Sequence, residues 1–327
     1  MASPQGLPGV AAGMEHVRDL EQLHLDGCTL TIGSFDGVHL GHQALIRALV
    51  GSARQAHLPA VVLTFYPHPS VVLRGRKPAF YITTPEEKAA LLGELGIDYV
   101  VTQSFDRELA AVTADAFLDR AQAHLAFRDL WVGEDFALGF RRQGNVPFLE
   151  QAGAARGFGL HILSPVLIGG EVVSSTRVRE ALRSGDVARA ASYLGRPFVV
   201  PGKVVQGAGR GRSLSIPTAN LSVWEERACP GSGVYACRAQ VGGRHWMAVA
   251  NIGFRPTFEG DVRVPVVEAH LLEFEGDLYG KEIRLTFIER LRDERRFAGP
   301  EALMEQIQRD ILRARLILNS HREGSDA

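Results

Sequence analysis

The chain has 327 residues, of which 46 % are hydrophobic and 22 % charged; this is ordinary globular usage and excludes bulk disorder and fibrous repeats. At ~150 residues per domain the length fits two domains, each able to bury a core. The 36 Lys plus Arg against 37 Asp plus Glu leave a net charge of −1, so neither a nucleic-acid backbone nor an anionic membrane is expected as a partner.

The three cysteines, Cys28, Cys229 and Cys237, show no CxxC spacing. That argues against a disulfide framework and a thiolate zinc site, and it suits a reducing cytosol, so a cytoplasmic location is expected. No apolar run approaches the ~20 residues of a membrane span. Residues 1–13 lack a basic segment followed by an apolar core and read as a loose tail. Nothing in the sequence indicates an oligomer.

In chain order, Cys28–Ile32 reads as a strand, and Leu45, Ile46, Leu49, Val50 and Ala53 recur at helical spacing. Ala60–Phe65 suits a buried parallel strand. Pro85–Leu95 reads as a helix stopped by Gly96, and Ile97–Thr102 as a strand. Thr113 can cap a helix over Ala114–Leu125, with further strands at Leu130–Val132 and Leu160–Ser164. Alternating strands and helices predict a parallel sheet wrapped on both faces. After Gly195 the pattern changes to strands and turns, with a hairpin signal at Gly242-Gly243 and clean alternation over Glu282–Phe287. A last helix follows Pro300 with Leu303, Ile307, Ile311 and Ala314 on one stripe. The second half therefore reads as an antiparallel barrel with a C-terminal helix, joined by a linker near Ser184–Gly195.

Gly33–His42 (GSFDGVHLGH) lies where a strand ends and a helix begins, the place where such sheets bind ligands. Gly33 and Gly37 permit a tight turn, and the helix start offers N–H groups to a phosphate. His39 and His42, three apart with Gly41 between them, can donate hydrogen bonds to a phosphoryl group as its charge builds. A plain helix cap is the bland alternative, and a zinc pair would need further ligands that the sequence does not supply. Val173–Arg179 (VSSTRVR) places Ser175 or Thr176 as the cap of a helix over Arg177–Arg183, a second phosphate cradle with Arg179; its alternative is an ordinary cap with solvated arginines.

Gly207–Leu221 (GAGRGRSLSIPTANL) is glycine-rich and cationic but lacks the Gly-Lys-Ser/Thr ending of a P-loop. Pro217 favours extended geometry before it, which sets Thr218 and Asn220 on one side as hard ligands for Mg²⁺. Glu268 sits in the apolar strand pattern Val264–Phe274, where a carboxylate is either a general base or a residue of a solvated face.

These segments, with Thr64–Pro69 (TFYPHP), Val132–Gly144, Gly233–Ala236 (GVYA), Asn251–Phe258 (NIGFRPTF), Val267–Gly280 (VEAHLLEFEGDLYG) and Leu291–Phe297 (LRDERRF), resemble the bacterial bifunctional riboflavin kinase/FMN adenylyltransferase family from about Gly33 to the last helix. The resemblance implies an α/β plus all-β chain. Its parts are a Rossmann-like FMN adenylyltransferase domain over 14–186 and a six-stranded antiparallel riboflavin kinase barrel with a C-terminal helix over 187–320. It implies that His39 and His42 stabilise reacting phosphates, and that Ser175, Thr176 and Arg179 hold those of ATP. Gly33, Phe35, Asp36, Gly41 and Asp135 would line the first nucleotide site, and Gly207, Gly209, Arg210 and Gly211 the second. Thr218 and Asn220 would carry Mg²⁺ with ATP, Glu268 would take the riboflavin 5′-hydroxyl proton, and Phe65, Pro67, Pro69 and Arg292 would meet flavin. Riboflavin, FMN and FAD would be substrates or products, with ATP as co-substrate. Two departures from the family pattern are Ala137–Arg142 and Ser215-Ile216. The alternatives are a non-catalytic flavin-binding regulator and a nucleotidyltransferase for another phosphate acceptor.

Overall fold

The computed structural model describes residues 13–75, 80–206, 217–257 and 260–323. Residues 1–12 of the tail expected over 1–13, and residues 207–216 of the glycine-rich segment Gly207–Leu221, lie outside the described residues. By contacts the chain divides into two units: residues 1–76 with 83–174, and residues 77–82 with 175–327.

The first unit contains β1 (Glu15–Val17), β2 (Cys28–Ile32), α1 (Leu40–Gln55), β3 (Ala60–Tyr66), α2 (Pro69–Arg74), α3 (Pro85–Glu94), β4 (Tyr99–Ser104), α4 (Arg107–Ala111) and α5 (Ala114–Leu125). There follow β5 (Phe127–Gly133), β6 (Ala137–Leu138), β7 (Gly144–Asn145), α6 (Val146–Arg156), β8 (Gly159–Leu163), β9 (Leu167–Ile168) and β10 (Glu171–Val172). Six strands form one parallel sheet in the order β1-β4-β3-β2-β5-β8. The five strands read from sequence are all in it; β1 adds a sixth, too short to show a period.

Alternation along β3 sends Val61 and Leu63 to one face, against Phe117 and Leu118 of α5 and Leu149 of α6. Ala60 and Val62 go to the other, against Ile46 and Leu49 of α1 and Leu92 of α3. Burying each large apolar side chain contributes about 1.5–3 kcal/mol. Thr84 and Glu87 form a reciprocal capping box on α3, and Thr113 caps α5 as its spacing predicts.

In the second unit α7 (Ser175–Ser184) and α8 (Val187–Leu194) precede β11 (Phe198–Val205), β12 (Ala219–Ser222), β13 (Gly233–Val241), β14 (Arg244–Thr257), β15 (Gly260–Leu271), β16 (Glu282–Arg292) and α9 (Pro300–Glu323). The strands close into an antiparallel barrel, β11-β12-β15-β14-β13-β16. The β13–β14 hairpin turns at Gly242 and Gly243, with φ of 54° and 79°, positive as a two-residue turn of this kind requires. Ala239, Ala250, Ala269, Leu285 and Phe287 fill the interior, while Ala314 and Leu318 of α9 cover Val234, Ala236 and Leu291 outside.

Two expectations are corrected here. Ser184–Gly195 is not an open linker: α8 occupies most of it, capped by Asp186 and buried through Val187, Ala190, Tyr193 and Leu194. α7 begins at Ser175, so Ser175 and Thr176 lie inside its first turn rather than ahead of it. The sequence also gave no sign that residues 80–82 join the barrel unit. Phe80 and Tyr81 both donate to the Glu226 carbonyl at 2.8 Å, and buried Arg227 donates to the carbonyls of Ile82 and Val199. Among the described residues no helix is long and apolar enough to cross a membrane.

Candidate functional site

The turn Gly33–Val38 leaves the carboxyl end of β2, between β3 on one side and β5 on the other. The strand order reverses direction here, which opens a crevice at the sheet edge where ligands bind. The sequence then runs straight into α1. His39 is the N-cap of that helix, and its Nδ1 accepts from the His42 N–H at 3.3 Å, which leaves Nε2 to carry the ring proton.

The rings of His39 and His42 stack with centroids 3.6 Å apart and 18° between planes, and Phe35 meets His42 edge-on at 5.0 Å. Two glycines make this stack possible. A Cβ on Gly33 would stand 2.9 Å from the Phe35 ring, and one on Gly41 would stand 3.1 Å from His39 Cε1. Gly33, Phe35, Gly41, His39 and His42 are thus brought together as one packed group. Histidine capping, the bland reading of the sequence, is present as well, and it is what aims the His39 ring.

Asp36 is buried beneath the turn. Its Oδ1 accepts from the Thr83 N–H and hydroxyl at 3.1 and 3.3 Å, while Gly37 N–H donates to Thr83 Oγ1. Sequence reasoning missed Lys88, which is 6 % exposed. Its Nζ donates to the Ser34 carbonyl at 2.9 Å and to Thr64 Oγ1 at 2.8 Å, and Thr64 Oγ1 donates in turn to the Ser34 carbonyl. Burial lowers the Lys88 pKa to about 8 against the opposing influence of Asp36 and Glu86. The signal was a lysine on the apolar stripe Pro85, Ala89, Leu92 of α3.

Asp135 follows the carboxyl end of β5, next to β2 in the sheet. It is exposed, and its carbonyl accepts from Arg142. Phe65 packs edge-on to Phe105 at 5.6 Å, the Tyr66–Pro67 bond is cis, and Pro69 opens α2. In the second unit Ser175 is half-buried, Thr176 exposed and Arg179 buried; the Arg179 Nε donates to the Phe80 carbonyl at 2.7 Å with its guanidinium 3.9 Å over the Phe80 ring.

On the barrel, Asn220 of β12 pairs in register with Glu268 of β15, which pairs with Asn251 of β14. Val234 and Arg292 continue the same rung. Val267 and Ala269, the neighbours of Glu268, point into the barrel, so Glu268 is half-buried on the outer face and does not lie in the core. Thr218 lies two residues before Asn220, just ahead of β12. His270 Nδ1 lies 2.9 Å from the Pro217 carbonyl and ties this end of the chain to β15. The opposed Asn220 amide and Glu268 carboxylate, with the Thr218 hydroxyl just ahead of the strand, are a hard-oxygen set of the chemistry that suits Mg²⁺ bound together with phosphates. Asn251 is a member of this row that spacing did not reveal. Arg292 makes an ion pair with buried Asp310 of α9 at 2.8 Å. Gly207, Gly209, Arg210 and Gly211 lie outside the described residues.

A parallel sheet with paired imidazoles at its switch point, followed by a closed barrel with an oxygen-rich rung, defines a two-domain protein of nucleotide chemistry. Residues 21–177 match the family model described as FAD synthetase, and residues 194–318 the one described as riboflavin kinase. The chain is 41 % identical over 301 residues to the bifunctional riboflavin kinase/FMN adenylyltransferase of Escherichia coli K12, covering 91 % of this chain and 95 % of that one. It is 39 % identical to the protein of the same name from Pseudomonas fluorescens (93 % and 98 % covered) and 34 % to that from Bacillus subtilis (86 % and 89 %). A solved structure described as a macrolide-efflux protein from Streptococcus pneumoniae superposes with a TM-score of 0.84 at 28 % identity, covering 93 % of this chain and 99 % of that one. The chain belongs to the bifunctional riboflavin kinase/FMN adenylyltransferase family.

Proposed function

We propose that this chain makes FAD from riboflavin in two ATP-dependent steps. In the barrel, the riboflavin 5′-hydroxyl oxygen attacks the γ-phosphorus of ATP, the bond to ADP breaks, and Glu268 takes the hydroxyl proton. Thr218 and Asn220 would hold Mg²⁺ with the ATP phosphates, where the ion neutralises charge on the transferring group. At the β2 turn, an FMN phosphate oxygen attacks the α-phosphorus of a second ATP and pyrophosphate leaves. That nucleophile is already anionic, so no strong base is required. His39 and His42 donate to the phosphate oxygens as charge grows, and Ser175, Thr176 and Arg179 hold the nucleotide.

We assign adenylyl transfer to residues 14–186 and phosphoryl transfer to 187–320, a boundary of activity set by the Ser175–Arg179 segment and not by packing. The flavin contacts assigned to Phe65, Pro67, Pro69 and Arg292, and the nucleotide contacts assigned to Asp135 and the 207–211 loop, belong to the same proposal, as does a cytoplasmic location.

What carries this reading is that two separate constellations, the His39–His42 stack and the Asn220–Glu268–Asn251 rung, each fall inside the segment matching the corresponding enzyme family. Purified protein given riboflavin, ATP and Mg²⁺ is expected to yield FMN and then FAD on chromatography. Riboflavin bound but unchanged would instead mark a flavin-binding regulator. Turnover of ATP with only a different phosphate acceptor would mark another nucleotidyltransferase.

A further inference from the structure

The Gly33–Val38 turn is strained: φ is 47° at Phe35, 82° at Gly37 and 42° at Val38. For phenylalanine and β-branched valine this region costs on the order of 1–3 kcal/mol each, and such a turn persists only where its surroundings over-determine it. Here they do. Thr83 grips Asp36 and Gly37 from one side. On the other, Lys88 and Thr64 both donate to the Ser34 carbonyl, and Lys88 also donates to Thr64.

A buried lysine whose hydrogen bonds go to neutral oxygens is costly, and methionine would fill the same volume without the desolvation penalty. Packing alone does not account for it. A positive charge enclosed beneath a turn that presents imidazoles to phosphates does, because it fixes the backbone and stabilises anionic charge above.

We propose that Lys88 is a positioning residue for adenylyl transfer, its ammonium clamping Ser34 to β3 and so holding His39 and His42 where the reacting phosphates bind. This rests on the reading of the turn as the adenylyl-transfer site. The titratable groups facing Lys88 are Asp36 from the turn, Glu86 from its own helix, and His16 of β1, which is neutral above pH about 4. With the Lys88 pKa lowered to about 8, the ammonium is present below that pH and is lost above it.

The test uses the full chain, with FAD formation from FMN, ATP and Mg²⁺ measured beside FMN formation from riboflavin in the same preparation. Lys88→Met is expected to lower kcat for FAD formation roughly 10- to 100-fold with KM for ATP and FMN within about twofold, and to leave FMN formation unchanged. Wild-type FAD formation should fall above about pH 8, and Lys88→Met should lack that limb. Thr64→Val should show a smaller kcat loss, and the double variant should be no worse than Lys88→Met alone, because both act through Ser34. If Lys88→Met fails to fold, Thr64→Val, which keeps the lysine on Ser34, must still show the kcat loss. Wild-type kcat and an unaltered pH profile in Lys88→Met, or no kcat loss in Thr64→Val, would overturn the proposal. A wild-type chain that makes no FAD from FMN would overturn the site reading and the proposal with it.

Discussion

Asn220 and Glu268 stand opposite each other across the β12–β15 ladder, with their in-strand neighbours Ala219, Leu221, Val267 and Ala269 turned into the barrel. Directly opposed residues hold their Cβ atoms about 4.5–5.5 Å apart. One metal–phosphate cluster could therefore meet both the ligand proposed at Asn220 and the base proposed at Glu268. Glu268→Gln keeps the shape and removes the carboxylate proposed as the base. FMN formation should fall by about 10²–10⁴-fold, while FAD formation from supplied FMN persists, as read by chromatography of the products. Loss of both activities would contradict the division of labour.

The complementary change is at His39. Asparagine keeps a capping acceptor for α1 but removes the imidazole. His39→Asn should therefore lower FAD formation by about 10²–10³-fold at nearly unchanged thermal stability, with FMN formation intact.

Gly41 offers a finer probe. Alanine there would favour the helix by about 0.5–1 kcal/mol, yet its Cβ would press on the His39 ring at 3.1 Å from Cε1 and 3.2 Å from Nδ1. Gly41→Ala should hold or raise the melting temperature while FAD formation drops, a split that a purely structural glycine would not produce.

Glycine spacing and the His-x-x-His pair made the turn and the helix cap at the first candidate site legible, because the constraint there is local, within ten residues. The alternation of apolar runs likewise exposed five of the six parallel strands and the barrel hairpin. What stayed hidden depends on contacts distant in sequence. Lys88 reads as an ordinary helix lysine until Ser34 and Thr64 are packed over it, 54 and 24 residues away. Asn251 joins Glu268 only through register. Residues 80–82 have no periodicity that would tie them to Glu226 and Arg227, and α8 is too short and too rich in alanine to separate from a linker.

Arg292 and Asp310 join β16 to α9. Asp310 is almost wholly buried, and its oxygens also accept from Gln306. Removing the carboxylate strands a guanidinium that is itself largely enclosed. Asp310→Ala should destabilise the second unit by about 2–4 kcal/mol in chemical denaturation.

His16, held by Thr102, has its pKa lowered to about 4, chiefly by burial and secondarily by Arg18 and Lys88. The unfolded chain takes up this proton near the ordinary value of 6.5 and the folded chain only near 4, so stability falls as pH drops through that window. His16→Asn should lose part of the acid slope of the melting temperature between those limits; Glu86, whose pKa is lowered from 4.5, against burial, by its hydrogen bond with Arg18, adds its own loss of stability only as pH falls below that value.

The central claim is that one flavin passes through two chemically different transfers on one polypeptide. Position-specific labelling of ATP tests it most directly. With the γ-phosphorus labelled, riboflavin should give labelled FMN and then labelled FAD; with the α-phosphorus labelled, FMN should stay unlabelled and FAD alone should carry the label. Absence of α-label from every flavin product, or of γ-label from FMN, would contradict the account.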